Sequence, residues 1–509
     1  MSVKSILAKP FANVIQRRII KWSREAERTQ EFWFHKLISE GKNTVFGKEH
    51  GFEKITSHEQ FTRQVPLRDY EGYKTYIERI KLGEENVLWK GKPAYLAKSS
   101  GTTSGIKYIP LTRDSISNHI DTARNALLMY IAETGNTRFV NGKMIFLSGS
   151  PELENINGIL TGRLSGIVNH HVPRYLRGNQ LPSFETNCID DWEMKVEKIV
   201  EETMDQDLTL ISGIPPWVQM YFESLLQKKG SKTVKEIFPN LQLLVYGGVC
   251  FDPYRAKMFS TIGIEIDSIE TYPSSEGFIA FQDLKNKEGM LLNVDSGIFF
   301  EFVHASEIFS SEPARLKLKD VEAGINYAIV ISSNAGLWSY ALGDTVKFVS
   351  INPYRIVVTG RTKHFISAFG EHVIAEEVEH AMMIAARQAG VSVIEFTVAP
   401  QVNPGGDELP YHEWLVEFAT LPHNINSFRL SVDQLMREKN IYYNDLVSGK
   451  ILQPLKITLL QKDAFRTYMK SIGKLGGQNK VPRLSNDREV ADVLRNYILF
   501  PETEGSSLT

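Results

Sequence analysis

Cysteine is scarce in this chain. Its 509 residues include only two, Cys188 and Cys250. Two cysteines in a chain of this length exclude the disulfide framework of a small secreted protein and fit a reducing compartment. No apolar run approaches the roughly 18 residues that a membrane-spanning helix needs. We therefore expect a cytoplasmic protein that does not cross a membrane.

A strong excess of either charge is also missing. The chain has 58 Lys and Arg against 60 Asp and Glu, a formal net charge of −2. This balance gives nucleic acid or an anionic membrane no overall attraction, so we expect neither as a partner.

The first 24 residues are a local exception, because they hold six basic residues and no acid. In the same stretch Phe11, Val14, Ile15 and Ile19 recur at helical spacing. The pattern favours a first helix that packs on the body of the protein. A transit peptide or a membrane-surface helix is the alternative.

The length and the ordinary composition predict two or three domains with sizeable cores. Three short apolar runs in the first half end in small residues: "KMIFLSGS", "LTLISGIPPW" and "LQLLVYGG". Buried parallel strands whose C-terminal ends open into ligand-binding loops have this form. A helical stripe from Ile116 ends at Gly135. The first half is therefore predicted to be an α/β structure.

Later segments favour a β-rich part and then a smaller unit. "DSGIFFEFVH" and "NYAIVISS" are predicted as more exposed strands, and "LWSYALGDTVKFV" and "PYRIVVTGR" as the strands that follow. Beyond Arg361 comes a helix ending at Gly390, and "VIEFTV" and "EWLVEF" are predicted to pair. We predict a large domain of residues 1–361, with α/β sheet subdomains and a smaller β-rich subdomain. A small α+β domain, residues 362–509, follows it.

The segment "LAKSSGTTSGIKYIPLTRD", residues 96–114, has the composition of a loop that holds phosphate. It is not a Walker A loop, because Gly101 and Gly105 are too close together and Lys107 is not followed by Ser or Thr. Backbone N–H groups and hydroxyl donors can still wrap phosphate here. The donors are Ser99, Ser100, Thr102, Thr103 and Ser104. A solvated turn is the alternative when the segment is considered alone.

Other motifs stand where strands are predicted to end. "YPSSEG" supplies the aromatic Tyr272, hydroxyls and the carboxylate of Glu276, a residue type that binds Mg²⁺ near phosphates. "YALGD" places Asp344 where a carboxylate can accept both ribose hydroxyls, and "KLGGQNKVPRL" presents Lys480 in a glycine-flanked loop. Each residue has a structural alternative: a core tyrosine, a turn aspartate or a solvated lysine.

Taken in order, these motifs resemble those of the adenylate-forming superfamily, which contains acyl-CoA synthetases, luciferases and nonribosomal adenylation domains. Within it, the chain is most similar to the auxin-responsive Gretchen Hagen family of acyl acid amido synthetases. The motifs that carry this resemblance are "FGKEHGF", "SSGTTSGIKYIPLT", "SGIPPW", "YPSSEGFIA", "YALGDTVKF" and "GQNKVPRL". The resemblance runs nearly from end to end.

The resemblance implies a role for each matching position. The loop from Ser99 to Ser104 would bind the ATP phosphates. Gly248 and Val249 would also contact the nucleotide, and Tyr272 would face the adenine. Ser275 would hydrogen-bond the nucleotide, Asp344 would hold the ribose, and Arg361 would be the hinge-side arginine. Glu276 would bind Mg²⁺, and Lys480, in a mobile C-terminal domain, would contact the reacting acyl phosphate.

Two positions depart from the family's pattern. Ala341 stands where members usually carry Arg or Lys, and Thr362 stands where superfamily relatives often have an acidic hinge residue. For the acid pocket, Arg163 is a candidate carboxylate partner, and Ile214 and Trp217 are candidate walls. A surface charge is the alternative for Arg163. The adjacent His170 and His171 are expected to be structural, because two neighbouring histidines do not suit one metal site.

The implied reaction uses ATP and Mg²⁺. A small carboxylic acid attacks the α-phosphorus, and an amine, expected to be an amino acid, then attacks the acyl adenylate and releases AMP. Neither step needs a covalent enzyme nucleophile. We expect the protein to act as a monomer. A thioester-forming ligase and a non-catalytic nucleotide-binding protein are the alternatives.

Overall fold

A computed structural model describes residues 3–100, 106–172, 177–189, 191–248, 251–362, 365–366, 373–405, 408–449, 451–476, 480–485 and 487–499. The chain divides into two compact units, and each is described by itself below. The first unit comprises Met1–Val358 and Gly476–Gln478, and the second comprises Thr359–Leu475 and Asn479–Thr509.

The helices of the described residues are, in chain order, α1 (Val3–Arg24), α2 (Ala26–Gly41), α3 (Val45–Glu49), α4 (His58–Gln64), α5 (Tyr70–Lys81), α6 (Ile116–Thr134), α7 (Leu164–His170), α8 (Phe184–Asn187), α9 (Trp192–Thr203), α10 (Pro215–Lys229), α11 (Val234–Ile237), α12 (Asp252–Ile262), α13 (Ala375–Ala389), α14 (Ile425–Lys439), α15 (Ile441–Ser448), α16 (Ala464–Ser471) and α17 (Glu489–Leu494). None of the helices that the structure describes combines the length and apolar character needed to cross a bilayer.

The strands are β1 (Tyr95–Ser100), β2 (Ile106–Leu111), β3 (Lys143–Phe146), β4 (Glu154–Ile156), β5 (Ile159–Arg163), β6 (Gln180–Leu181), β7 (Leu208–Gly213), β8 (Leu243–Gly247), β9 (Asp267–Ser274), β10 (Gly277–Phe281), β11 (Met290–Leu292), β12 (Ile298–His304), β13 (Leu316–Lys317), β14 (Asn326–Ser333), β15 (Tyr340–Ile351), β16 (Tyr354–Arg361), β17 (Phe365–Ile366), β18 (Val373–Ile374), β19 (Val393–Gln401), β20 (Tyr411–Phe418) and β21 (Lys456–Leu460).

One large sheet has the order β13-β12-β14-β15-β16-β11-β10-β9-β8-β7-β3-β6. The strands β6, β3, β7, β8 and β9 are parallel, and the three predicted from apolar runs are β3, β7 and β8. From β9 to β10 the pairing becomes antiparallel. The turn between these two strands holds Ser275 and Glu276, so the predicted Mg²⁺ carboxylate lies where the parallel half of the sheet ends.

The prediction that "DSGIFFEFVH" and "NYAIVISS" are more exposed strands is wrong. β12 and β14, which they form, are buried along nearly their whole lengths. Each lies inside the sheet with neighbours on both sides, and their apolar side chains belong to the main core. Glu301, the one charged residue of β12 other than its terminal His304, is fully buried among polar partners.

A second sheet of the first unit, ordered β2-β1-β5-β4, carries the Ser/Thr/Gly segment. β1 and β2 form an antiparallel hairpin, with Ser99 opposite Lys107 and Ser100 opposite Ile106. β5 runs parallel to β1 and places Arg163 beside Lys98. This sheet therefore brings a predicted acid-pocket arginine next to the strand that enters the predicted phosphate loop.

Helix α1 packs on α6, as expected for a first helix docked on the body. Its buried stripe is Ala12, Ile15, Ile19 and Trp22. Two of the residues expected to form that stripe face solvent instead, because Phe11 is 46% and Val14 54% exposed. α6 itself begins and ends as predicted, and Gly135 follows it with a φ of 69°.

The second unit is built on the sheet β19-β20-β21, in which β19 and β20 pair antiparallel, as predicted. α13 buries the predicted face, Val378, Ala381, Met382 and Ala385, and ends at Gly390 in the left-handed conformation. These side chains share a core with Trp414 and Val416 of β20. The unit is thus a small α+β structure.

Candidate functional site

Several predicted site residues lie at one edge of the large sheet. β7, β8 and β9 are parallel neighbours, so Ile214, Gly248 and Ser275 follow their C-terminal ends at the same edge. Ser275 is buried. Gly247, at the end of β8, has no room for a side chain, because a Cβ would lie 2.3 Å from the carbonyl oxygen of Thr271. Parallel strand ends of this kind form ligand-binding crevices in α/β sheets.

The two carboxylate motifs are joined by a pair of hydrogen bonds. The Tyr272 hydroxyl donates to Asp344 Oδ2 over 2.6 Å. In return, the Tyr340 hydroxyl donates to Glu276 Oε1 over 3.1 Å. Each motif thus supplies a tyrosine and, four residues later, a carboxylate. We call these four residues the tyrosine–carboxylate cross-link.

The cross-link connects strands that are not neighbours. β16, β11 and β10 separate β15 from β9 in the sheet order. Hydrogen bonds between the two motifs therefore require the sheet to curve sharply between these strands. As a result, the ends of "YPSSEG" and "YALGD" meet although 72 residues separate Tyr272 from Asp344.

A bulge in β15 sets the position of Asp344. Ala328 pairs with Thr345 and Val330 with Ala341, so three residues of β15 stand opposite Ile329 alone. Gly343 lies in this bulge with a φ of 88°, a conformation that glycine adopts without steric cost. A bulge redirects the side chains around it, and here it allows Asp344 to meet Tyr272.

Glu276 has a second partner in its own turn. The Ser274 hydroxyl donates to Glu276 Oε2, and the backbone N–H of Glu276 donates to Ser274 Oγ. Burial, together with the charge of Glu276, raises the pKa of Tyr340 well above its usual value, so this tyrosine stays a proton donor at physiological pH. The carboxylate is therefore held in one orientation by two hydroxyl groups.

A buried polar network supports Tyr340 from behind. Its neighbour Ser339 has a φ of 44°, unusual for a residue with a side chain, and donates a hydrogen bond to Glu301 Oε2 over 2.7 Å. Glu301 also contacts His58 Nε2 at 2.9 Å and faces Arg315. Burial alone would raise the pKa of Glu301, but the hydrogen bond from His58 and the charge of Arg315 bring it below its usual value.

The backbone on both sides of Tyr340 is held by the segment around Arg68. Arg68 N–H donates to the Ser339 carbonyl, and Ala341 N–H donates to the Arg68 carbonyl. Arg68 also approaches His50 of the "FGKEHGF" motif, with Nη1 3.2 Å from Nε2. Sequence reasoning assigned no function to His50, Arg68, Glu301 or Arg315. The quoted motif was the one signal that pointed to this support.

The candidate acid-pocket residues occupy different environments. Arg163 ends β5 and is half-buried, and its side chain fills the space beside Gly149. Ile214 immediately precedes α10. Trp217 is buried in α10, with its ring centroid 4.8 Å from that of Trp192.

Oxygen ligands are the chemistry that Mg²⁺ prefers, and the turn of Glu276 supplies a carboxylate and the hydroxyl of Ser274. Within the described ranges no group of three or more His, Cys, Asp or Glu side chains could hold a metal by itself. Mg²⁺ usually keeps several waters and binds through one or two carboxylates plus substrate phosphates.

The adjacent histidines have structural partners. His170 contacts the Pro151 carbonyl oxygen at 2.8 Å, and His171 lies 3.0 Å from the Tyr95 hydroxyl. His170 also lines a cavity of about 290 Å³ that includes Arg177 and Phe184 and none of the predicted site residues.

The second unit presents Arg361 and Lys480, both exposed. Lys480 is followed by a segment fixed to β19: Val398 N–H donates to the Arg483 carbonyl, and Ser485 N–H donates to the Val398 carbonyl. The Arg483 guanidinium forms ion pairs with Glu379 and Glu395. The backbone that carries Lys480 is therefore anchored three residues away.

Several predicted site residues lie outside the described residues. They are Thr102, Thr103, Ser104 and Val249. For Ser100 the structure describes the backbone alone.

Comparison with known proteins identifies one family. Profiles of the GH3 family N-terminal, central and C-terminal domains match residues 15–183, 291–361 and 376–489, together more than half of the chain. The chain is similar to the indole-3-acetic acid-amido synthetase GH3.4 of Arabidopsis thaliana, with 22% identity over 95% of this chain and 94% of that relative.

Solved structures share the fold. The GH3.15 acyl acid amido synthetase matches with a TM-score of 0.79 and 16% identity, over 97% of both chains. A 2-hydroxyisobutyryl-CoA ligase in the postadenylation state matches with a TM-score of 0.56 and 12% identity, over 94% of this chain and 91% of that one. The predicted fold, a large α/β domain with a smaller C-terminal domain, is confirmed.

Proposed function

The chain belongs to the GH3 family, and we propose that it is an ATP-dependent acyl acid amido synthetase, a ligase that forms carbon–nitrogen bonds. It activates a small carboxylic acid as an acyl adenylate and transfers the acyl group to an amine, for which we propose an amino acid. The name of the Arabidopsis thaliana relative, an indole-3-acetic acid-amido synthetase, supports this class of reaction.

The observation that carries the proposal is the tyrosine–carboxylate cross-link. It brings Asp344 and Glu276 to one region from motifs that the family shares. A solvated turn aspartate or an isolated surface glutamate would not need buried tyrosine partners. A site for ribose and for a phosphate-bound cation needs two carboxylates held at fixed positions.

In the first half-reaction a carboxylate oxygen of the acid attacks the α-phosphorus of ATP, and pyrophosphate leaves with its bonding electron pair. In the second half-reaction the amine nitrogen attacks the acyl carbon, AMP leaves, and the nitrogen loses a proton. The α-phosphate gains negative charge during the first attack. Mg²⁺ supplies positive charge to the phosphates when it is bound.

We assign each residue its part in this scheme. Asp344 accepts the ribose hydroxyls, and Glu276 holds Mg²⁺ while Tyr340 and Ser274 orient its carboxylate. Tyr272 and Ser275 bind the nucleotide beside Gly248 and Val249, and the hydroxyls from Ser99 to Ser104 bind its phosphates. Arg163, Ile214 and Trp217 line the acid pocket.

The roles of Lys480 and Arg361 follow from the resemblance of their motifs to those of the family. Lys480 contacts the reacting acyl phosphate during adenylation, and Arg361 lies at the hinge between residues 1–361 and 362–509. The cytoplasmic location and the monomeric state stay predictions.

Acid-dependent ATP–pyrophosphate exchange with a panel of carboxylic acids tests the proposal. Exchange that depends on one class of acid is expected, and no exchange with any acid would favour a non-catalytic nucleotide-binding protein. The active acid is then offered with amino acids or with coenzyme A, and the product is identified by mass. An amide supports the proposal, whereas a thioester alone would make the protein an acyl-CoA ligase.

A further inference from the structure

Helix α1 presents a second face that the body of the protein does not cover. The buried stripe of α1 packs on the core, and outside that stripe four large apolar side chains are exposed, of which Phe11 lies beside α6 with its ring centroid 5.9 Å from the Arg124 guanidinium. They are Ile6 (58%), Leu7 (64%), Phe11 (46%) and Val14 (54%). Single exposed apolar residues are ordinary, but a contiguous group on one helix face indicates an interaction surface.

Basic residues continue this face toward the C-terminal end of α1. They are Arg17, Arg18, Lys21 and Arg24, all exposed. Within the described residues none of the four lies within ion-pair distance of a carboxylate, whereas the next arginine along the chain, Arg28, faces Glu25. We call the eight residues from Ile6 to Arg24 the outer face of α1.

From this arrangement we infer that the outer face of α1 binds the surface of an anionic phospholipid membrane. The apolar turns of the helix enter the boundary between headgroups and acyl chains, and the basic turns lie against anionic headgroups. Charge complementarity decides for this occupant: the first 24 residues contain six basic residues and no acid. A second copy of this helix would instead bring like charges together in a parallel pair, and would place basic side chains against apolar ones in an antiparallel pair.

This inference replaces the expectation of no membrane partner, which rested on the net charge of the whole chain. A net charge of −2 for the whole chain does not describe α1, in which the charged residues are all basic. The inference is independent of the proposed enzyme activity. The acids and amines of the proposed reaction take no part in it.

Sedimentation of the full chain with vesicles tests the inference. Binding is expected with an equimolar mixture of phosphatidylcholine and phosphatidylserine, and it should fall as salt is added, because exposed charges are screened. The triple variant R17Q/R18Q/K21Q should lower the partition coefficient about fivefold for each charge removed. The double variant L7Q/V14Q should abolish binding even at low salt.

Matched controls separate this surface from general effects of charge and polarity. K232Q/K287Q/K319Q removes three exposed lysines elsewhere on the first unit, and L82Q/I264Q removes two exposed apolar side chains; both should bind like the unchanged protein. Thermal unfolding verifies that every variant is folded. Equal binding by α1 variants and controls, or no binding of the unchanged protein to these vesicles, would overturn the inference. A dimer that L7Q/V14Q dissolves would overturn it in favour of a second copy.

Discussion

At the scale of single residues, removal of the Asp344 carboxylate probes the nucleotide site most directly. If Asp344 accepts the ribose hydroxyls, D344A loses charge-assisted hydrogen bonds worth roughly 1.5–3 kcal/mol each. The affinities for ATP and for AMP should then both fall by at least about tenfold, as measured by calorimetry. D205A, which removes an exposed aspartate in a surface ion pair, is the matched control and should leave both affinities unchanged. Normal nucleotide binding by folded D344A would rule out the ribose role.

The role of Glu276 should be visible in how the rate of adenylation depends on the Mg²⁺ concentration. E276Q keeps the size of the side chain but removes the charge that a hard cation needs. Adenylation should slow, and the Mg²⁺ concentration for half-maximal rate should rise. Y340F, which removes one hydroxyl from Glu276 Oε1, should shift the same titration by less, since the charge remains. An unaltered Mg²⁺ titration in E276Q would mean that Glu276 only ties its turn to β15.

At the scale of elements, the burial of a carboxylate on β9 makes stability depend on pH. Burial, with a smaller contribution from Asp252, raises the pKa of Glu270 from 4.5 to about 7. The folded protein therefore holds this proton where the unfolded chain has lost it. Between pH 4.5 and about pH 7, the free energy of unfolding therefore falls as pH rises.

Replacement of Glu270 by an uncharged residue should remove this fall in the free energy of unfolding. E270Q should match the parent near pH 4 and exceed its free energy of unfolding by about 3 kcal/mol above about pH 8. Urea unfolding at a series of pH values measures the difference. E288Q, at an exposed position, is the control. Parallel stability curves for E270Q and the parent would contradict the raised pKa.

The loop of Lys480 should matter for one half-reaction. If Lys480 stabilises charge on the reacting α-phosphate, K480A should bind ATP nearly normally but form acyl adenylate on the order of 10²–10³ times more slowly. Amine transfer from preformed acyl adenylate should survive. Single-turnover kinetics of the two half-reactions measure this, and equal losses in both would rule out a role of Lys480 that is specific to adenylation.

Elements with a clear local pattern were predictable. The helix that begins at Ile116 has a sustained apolar stripe and a glycine at its end, and β3, β7 and β8 are continuous apolar runs. The burial of β12 was not predictable, because the partner that hydrogen-bonds the Glu301 carboxylate, His58, lies 243 positions away in the sequence. In α1 two stripes are apolar, and only the packing on α6 decides which one is buried.

At the scale of the whole molecule, the order of motifs predicted the family and the fold, whereas the cross-link between the motifs required the structure. From the sequence, Tyr272 was assigned as an aromatic residue facing the adenine, and Tyr340 was assigned only to a strand. Only the curvature of the large sheet brings each hydroxyl to the other motif's carboxylate. The geometry of the proposed site therefore depends on the path of the whole sheet, which the pattern within each strand does not reveal.

The fate of the acid's oxygen atoms tests the proposed reaction most directly. In an acyl-adenylate path the carboxylate oxygen that attacks the α-phosphorus stays on phosphorus when the amine displaces AMP. With an acid labelled at both oxygens with oxygen-18, and with an amino acid present, mass spectrometry should find one label in AMP and one in the amide. Label in inorganic phosphate with formation of ADP, or an amide formed without any label in AMP, would contradict the assignment of this protein as an adenylate-forming amido synthetase.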